Sequence, residues 1–200
     1  MFTLINGSQK TNKSNSMYFL NYASKKLINT SIFDLKSNDY KDIIFSINKN
    51  KTIILAFPLY VDSPTSIVLG FLDYLYDNKI NLANKNLYVI INCGFKEGEQ
   101  NINAVNIIKN FCFKKNINYM GSIMIGAGEI VGKSKYKFIC RKAYKRLNQF
   151  INCIKQNKKS GDIVTTMDII NSKMYCILAN KSWNKKAKSN KLNYNDICKK

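Results

Sequence analysis

Two runs of the sequence, Lys51–Pro58 (KTIILAFP) and Asn86–Cys93 (NLYVIINC), limit this chain more than any other feature. Each is an almost unbroken series of β-branched and other apolar residues, with none of the polar alternation that a strand with one wet face would show. Such a strand must be covered on both faces, which in a water-soluble domain means a parallel sheet between two layers of helices. Three weaker runs fit the same sheet: MFTLIN at the start, TSIFDL from Thr30, and INYMGSIMIG from Ile117. The segments between them have helical periodicity. About Asn15–Asn29 presents Met17, Leu20, Tyr22, Ala23, Leu27 and Ile28, and about Asp39–Asn48 presents Tyr40, Ile43, Ile44 and Ile47 in one stripe. Pro64 is expected to open a third helix over PTSIVLGFLDYLYDN, since proline suits a first helical turn. Two more are expected over about Asn101–Lys115 and Tyr136–Lys155.

Five strands alternating with five helices over Met1–Lys155 predict an α/β fold, a three-layer doubly wound parallel sheet. KQNKKSGD reads as a linker. The expected division is a domain over residues 1–158 and a C-terminal extension over 159–200, with one helix near Met174–Lys188 that carries Tyr175, Leu178, Ala179 and Trp183. That extension is too short for a domain of its own and is expected to pack on the first or on a partner subunit.

The chemistry open to the chain is narrowed by what it lacks. It contains no histidine, which removes Ser-His-Asp and Cys-His nucleophiles and histidine-bound metals. Its six cysteines form no C-x-x-C pair, so no zinc ribbon, thioredoxin-like pair or cysteine-clustered iron–sulfur site is indicated. They read as reduced, partly buried thiols. Catalysis in such a chain calls for a cofactor. No apolar run is long enough for a membrane span and no secretory leader is evident, so the expected location is the cytoplasm. The net charge of +20 invites a nucleic-acid reading. Lysines, however, occur in nearly every segment instead of forming one stripe, and no nucleic-acid motif accompanies them. Nucleic acid is therefore not the expected partner, and the charge is expected to draw polyanionic cofactors to any cleft.

In a doubly wound sheet ligands bind at the C-terminal ends of the strands. Three loops leave those ends with unusual composition. INGSQKTNKSNS, from Ile5 to Ser16, follows the first strand and gathers Ser8, Lys10, Thr11, Ser14, Asn15 and Ser16 before a helix. It matches neither G-x-G-x-x-G nor the Walker pattern. Two readings stand: a polar loop capped by Ser14 or Asn15, and an anion nest in which hydroxyls join the first-turn N–H groups around a phosphate. The second loop, FPLYVDSPTS, offers Pro58, Leu59, Tyr60 and Val61 as apolar and aromatic surface for a flat heteroaromatic ring, against the plainer outcome of packing on neighbouring loops. The third, NCGFKEGEQN, offers Asn92 and the backbone of Cys93, Gly94 and Phe95 as hydrogen-bonding groups, with Glu97 and Glu99 as solvated or catalytic carboxylates.

Taken in order, G-S-x-K-x-x-x-S-N-S, P-L-Y-V-D and N-C-G-F resemble the flavodoxin-fold NAD(P)H-dependent FMN reductases, and the closing W…AKSNKLNYNDI is similar to the tail of some members. The resemblance implies strand order 2-1-3-4-5, a homodimer with GAGEIVGKS and the tail as contacts, and non-covalent FMN at the ends of strands one, three and four. Ser8, Lys10, Ser14, Asn15 and Ser16 would then hold the phosphate. Pro58, Leu59, Tyr60 and Val61 would line the isoalloxazine. Asn92, Cys93, Gly94 and Phe95 would meet its pyrimidine edge, mainly through backbone. Lys10 stands where many members have arginine, which keeps the charge without the bidentate fork. Lys191 stands where a glycine is expected. The implied activity is hydride transfer from NADH or NADPH through FMN to a flavin, quinone or similar acceptor, with no side-chain acid or base assigned. Cys93 is read as a backbone contributor at a tight turn in preference to a redox thiol. The alternatives are a flavodoxin-like electron carrier without NAD(P)H activity, disfavoured by the basic charge, and a cofactor-free binding module of the same fold.

Overall fold

The computed structural model describes residues 1–36, 39–132, 138–167 and 170–192. The chain divides into two compact units, Met1–Met167 and Asp168–Lys200.

The first unit is built on one sheet. β1 (Phe2–Asn6), β2 (Thr30–Asp34), β3 (Thr52–Pro58), β4 (Asn86–Asn92), β5 (Asn118–Ile125) and β6 (Gly161–Thr165) are all parallel, in the order β2-β1-β3-β4-β5-β6. The first five strands have the order expected from the resemblance. The sixth was not expected. In the sequence GDIVT reads as the end of a linker and the start of a tail, because a five-residue strand with its first two positions exposed has too little apolar alternation to stand out. It pairs with β5 from Gly121↔Gly161 to Ile125↔Thr165 and belongs to the first compact unit. β5 also holds a bulge. Leu87 pairs with Tyr119 and Tyr88 with Gly121, so Met120 is the extra residue. Gly121 has φ 128 there, and a Cβ would stand 2.2 Å from the Gly161 carbonyl oxygen.

The continuous apolar character of β3 and β4 is explained by two cores. Ile53, Leu55, Phe57, Leu87, Val89 and Ile91 point to the face covered by α2 (Lys41–Lys49), α3 (Ser66–Asp77) and α4 (Ile102–Lys114), against Ile43, Ile47, Phe71, Leu75, Val105 and Ile108. The alternate residues Leu4, Ile54, Ala56, Tyr88 and Ile90 are equally buried and face the other way. α1 (Asn15–Ser24) and α6 (Arg141–Lys155) cover that side, with the Phe150 ring edge-on to Tyr88 at 5.9 Å. Tyr18 and Tyr144 share a 2.7 Å hydroxyl hydrogen bond and Tyr22 donates to Asn148, which joins the two helices.

Element ends depart from expectation for identifiable reasons. α1 stops at Ser24 although Leu27 is still buried, because the chain turns through Lys25–Asn29 and Asn29 has φ 58. Pro64 is not a first-turn residue. Thr65 is the N-cap of α3 and accepts from the Val68 N–H, which leaves Pro64 just outside the helix. The GAGEIVGKS segment contains a single helical turn, α5 (Gly128–Val131), while Lys133 and Ser134 lie outside the described residues. So does Tyr136; the helix expected from there begins at Arg141.

In the second unit, Ser172–Ser189 forms α7, capped by Asn171 through its side chain and the Met174 N–H. The tail after Leu192 lies outside the described residues. Among the described residues no helix is long and apolar enough to cross a membrane.

Candidate functional site at the C-terminal strand ends

The crossover from β1 to β2 runs one way and that from β2 to β3 returns past β1, so the C-terminal ends of β1 and β3 flank the point where strand order reverses. Two strands that meet this edge end in buried asparagines.

At the end of β1, the fully buried Asn6 donates through Nδ2 to Asp34 Oδ1 at 2.5 Å and to the Thr11 carbonyl at 3.3 Å. Its Oδ1 accepts from the Ser8 N–H at 3.3 Å and lies 3.5 Å from Ser14 Oγ. Asn6 therefore fixes the loop of residues 7–14 from inside. Gly7 is required where it is, since a Cβ would fall 2.2 Å from Val68 Cγ2. The loop continues through a short 3-10 turn, Thr11–Lys13, and Ser14 caps α1 by accepting the Met17 N–H at 3.0 Å. The serines of the expected phosphate loop, Ser8, Ser14 and Ser16, are buried, Asn15 is half-buried and Lys10 is exposed.

At the end of β4, Asn92 joins the three loops. Its Nδ2 donates to Ser16 Oγ at 3.0 Å, at the start of α1, and to the Phe57 carbonyl at 3.3 Å in β3. Its carbonyl accepts from the Leu59 N–H at 2.8 Å. Thr65 adds a second tie by donating to the Gly7 carbonyl at 2.7 Å. The loops singled out in the sequence are thus held together at one sheet edge. The Asn92 side chain does this work from the interior.

The loop after β3 forms a tight turn. Tyr60 and Ser63 exchange two 3.1 Å backbone hydrogen bonds, and the two residues between them, Val61 (φ 49) and Asp62 (φ 57), are left-handed. Such a turn suits Asn-Gly, and a β-branched residue is strained in it. Thr11 (φ 44) is the other β-branched residue with positive φ among the described residues, and it also lies at this edge. Leu59 is buried, Pro58 half-buried, Tyr60 41% exposed and Val61 98% exposed, so Val61 projects at the turn tip while Leu59 anchors it.

The loop after β4 is held by Cys93. Its buried thiol lies 3.5 Å from the Glu97 carbonyl and 3.7 Å from those of Phe95 and Ile125, and it accepts from Asn101 Nδ2 at 3.4 Å. Burial pushes the thiol's pKa up, against the smaller opposing effect of its hydrogen bonds with Phe95 and Asn101. The neutral thiol therefore serves as an anchor for the turn, which excludes an activated thiolate at neutral pH. Gly94 and Phe95 are exposed at the crest, Phe95 by 55%. A Cβ at Gly94 would meet no atom within 4 Å. The chain after β5 locks this crest from the side. Ala127, left-handed at φ 51, donates its N–H to the Phe95 carbonyl at 2.5 Å, and the Gly128 N–H reaches the Cys93 carbonyl at 2.8 Å. Gly128 and Gly132 sit so close to Asn92 and Asn15 that a Cβ would come within 2.9 and 2.7 Å of their side chains.

The thirteen expected site residues therefore fall into two sets. Ser8, Ser14, Ser16, Leu59, Asn92 and Cys93 are buried and build the edge; Lys10, Tyr60, Val61, Gly94 and Phe95 are exposed on it, with Asn15 and Pro58 between. The sequence reading missed Asn6, Asp34, Thr65 and Asn101, which position these loops. A usable signal existed for the first. Asn6, like Asn92, is a polar residue closing an apolar run, and a buried polar group of that kind needs several partners.

No protein-family model matches the chain, and no curated sequence matches it. Solved structures do. An NADPH-quinone reductase from P. pentosaceus superposes with TM-score 0.60 at 17% identity, covering 80% of this chain and 98% of that one. The Trp repressor binding protein of Bacillus subtilis gives 0.59 at 17%, covering 81% and 100%. An NADH:FMN oxidoreductase in its apo form gives 0.58 at 15%, covering 80% and 90%. The chain has a flavodoxin-like fold. Within that fold the converging loops occupy the edge where the motifs of the sequence pointed, and among the described residues no three carboxylates or thiols come together as a metal site.

Proposed function

We propose that this flavodoxin-like protein binds FMN at the ends of β1, β3 and β4 and passes hydride equivalents from NADH or NADPH to a flavin, quinone or similar acceptor. One observation carries the reading. The three loops whose composition suits phosphate, ring and pyrimidine edge are tied into one surface by Asn92, beside the reversal in strand order. The residues present fit the cofactor. A ten-residue helix begins at Asn15 with its first-turn N–H groups and dipole directed at the loop, a favourable place for a phosphate, and Lys10 adds an exposed charge. Gly94 leaves room for backbone to approach a ring edge. The exposed Tyr60, Val61 and Phe95 offer apolar surface, and the strained turn at Val61 belongs to the kind of outlier that collects at ligand sites.

Bound FMN would supply the hydride chemistry. The chain's own part is to hold the phosphate at the α1 N-terminus, to present backbone donors at residues 93–95 where negative charge accumulates, and to keep the loops from rearranging. Ser14 has two tasks in this reading, since it caps α1 and faces the phosphate loop. α7 leaves Met174, Ile177, Leu178 and Trp183 exposed, which suits the homodimer included in the same proposal.

The visible spectrum of purified protein after addition and removal of excess FMN tests the cofactor, and steady-state oxidation of NADH and NADPH with a quinone or free flavin tests the activity. Retained flavin bands with turnover are expected. Flavin that neither nucleotide reduces would leave the electron-carrier reading, and protein that neither retains FMN nor quenches its fluorescence would leave the binding module. A Ser14→Ala, Ser16→Ala variant should lose FMN affinity while keeping riboflavin affinity, and equal loss of both would show that the loop acts only as a cap.

A further inference from the structure

Charge that looks scattered along the sequence is sorted by the fold. Residues 10–33, which contain α1, and residues 138–161, which contain α6, include no aspartate or glutamate. The two helices lie side by side on one face of the sheet, joined through Tyr18–Tyr144 and Tyr22–Asn148. The helices of the opposite face carry Asp42, Asp73 and Asp77. The α1/α6 face exposes Lys25 and Lys26 just after α1, and Arg141, Lys142, Lys145, Arg146 and Lys155 from α6. Arg141 and Arg146 are the chain's two arginines, both in the first half of α6. Among the described residues the one salt bridge is Lys109–Asp162, elsewhere in the fold, so Arg141, Lys145, Arg146 and Lys155 have no carboxylate partner.

We propose that the α1/α6 face binds the sugar–phosphate backbone of nucleic acid without reading sequence. The fifteen residues of α6 span about 22 Å at 1.5 Å per residue, long enough to meet several successive phosphates. Between its cations the helix exposes Gln149 and Asn152, and Gln156 follows as its C-cap; such amide side chains contact phosphate and sugar alongside lysine and arginine. An anionic membrane is the less suitable partner. An interfacial helix needs apolar residues along its length, and here the exposed ones near α6 are Phe138 and Ile139, confined to the turn before it. The proposal is independent of the flavin reading, because its residues lie on a helical face and the flavin residues at the strand ends.

The experiment is fluorescence anisotropy of a labelled 20-base-pair duplex titrated with the full chain between 50 and 200 mM KCl. With about six cations engaged, wild-type affinity should fall roughly 10³-fold across that fourfold salt range. Two double variants are compared, each of which lowers the net charge equally. Lys145→Glu with Arg146→Glu changes the proposed surface, and Lys41→Glu with Lys114→Glu changes exposed lysines of α2 and α4 on the opposite face. All four side chains are exposed, and thermal denaturation verifies that both variants fold. The α6 variant should lose at least about tenfold in affinity at 100 mM KCl and about two from the magnitude of the log–log salt slope, and the control should lose less than about threefold. Equal losses in the two variants would mean that net charge alone is at work and would overturn the proposal. So would wild-type protein that fails to bind duplex at 100 mM KCl, or that binds phosphatidylserine vesicles more tightly than duplex through the same α6 cations.

Discussion

Replacing Gly94 by alanine separates what the fold needs from what a ligand needs. In the free protein a Cβ at this position meets nothing within 4 Å, and the residue's φ lies outside the left-handed region. Neither packing nor backbone geometry opposes the change. Gly→Ala at a compatible position stabilises by about 0.4–1 kcal/mol, mostly by restricting the unfolded chain. In a chain of 200 residues that corresponds to a melting temperature higher by roughly 1–4 °C. The flavin site should respond in the opposite sense. If the ring edge packs against the backbone of residues 93–95, the added methyl overfills a close contact, which costs about 1–3 kcal/mol. FMN affinity would fall roughly 5- to 150-fold. Differential scanning fluorimetry of the apo protein gives the first quantity and quenching of FMN fluorescence the second. Gly128→Ala is the contrasting variant. Its Cβ would stand 2.9 Å from Asn92 Cβ and Oδ1 and 3.2 Å from the Cys93 carbonyl oxygen, so it should destabilise the apo protein by about 1–3 kcal/mol. Gly94→Ala with unchanged FMN affinity would refute close approach at this crest. A lower melting temperature would refute the claim that the free fold does not need glycine there.

Asp162 tests the acid limb of stability. Burial pushes its pKa up, but the charge of Lys109 and hydrogen bonds from Lys109, Tyr119 and Ser122 together outweigh that and hold it below the usual carboxylate value. A depressed folded pKa stabilises above the unfolded value and ceases to do so as pH falls through the folded one, so Asp162→Asn should flatten urea-midpoint loss below about pH 5; an unchanged profile would show the cluster to be energetically idle. Cys93 should resist iodoacetamide at pH 8 while the exposed Cys176 reacts, as read by peptide mass spectrometry, because a buried thiol with a raised pKa offers little thiolate. Phe150→Ala removes a fully buried ring packed on Tyr88 and should cost about 3–5 kcal/mol in chemical denaturation. A loss under 1 kcal/mol would mean that the α6 side of the sheet is not a packed core.

The layers were legible because two-sided burial leaves a local mark, whereas the order of the first five strands followed only from the resemblance carried by the loop motifs. Ile53–Phe57 and Leu87–Ile91 are apolar at every position, and their neighbours repeat at helical spacing. The loops of the candidate site were legible for a related reason, since Gly7, Pro58 and Gly94 mark strand ends. β6 was not. An edge strand buries only part of itself, and Gly161–Thr165 joins the sheet through backbone pairing with β5, which leaves little trace in side-chain pattern. The division of the site residues into struts and rim was also hidden. Ser16 and Asn92 are 76 positions apart, and nothing local says that the amide of one will be consumed by the hydroxyl of the other instead of facing a ligand. Charge behaved in the same way. The sequence alone determined that the chain is basic and where its alternating strands and helices lie, because both are sums over near neighbours. Only the tertiary structure decided that α1 and α6, neither of which carries a carboxylate, stand side by side, because adjacency across a sheet depends on the crossover order of distant strands.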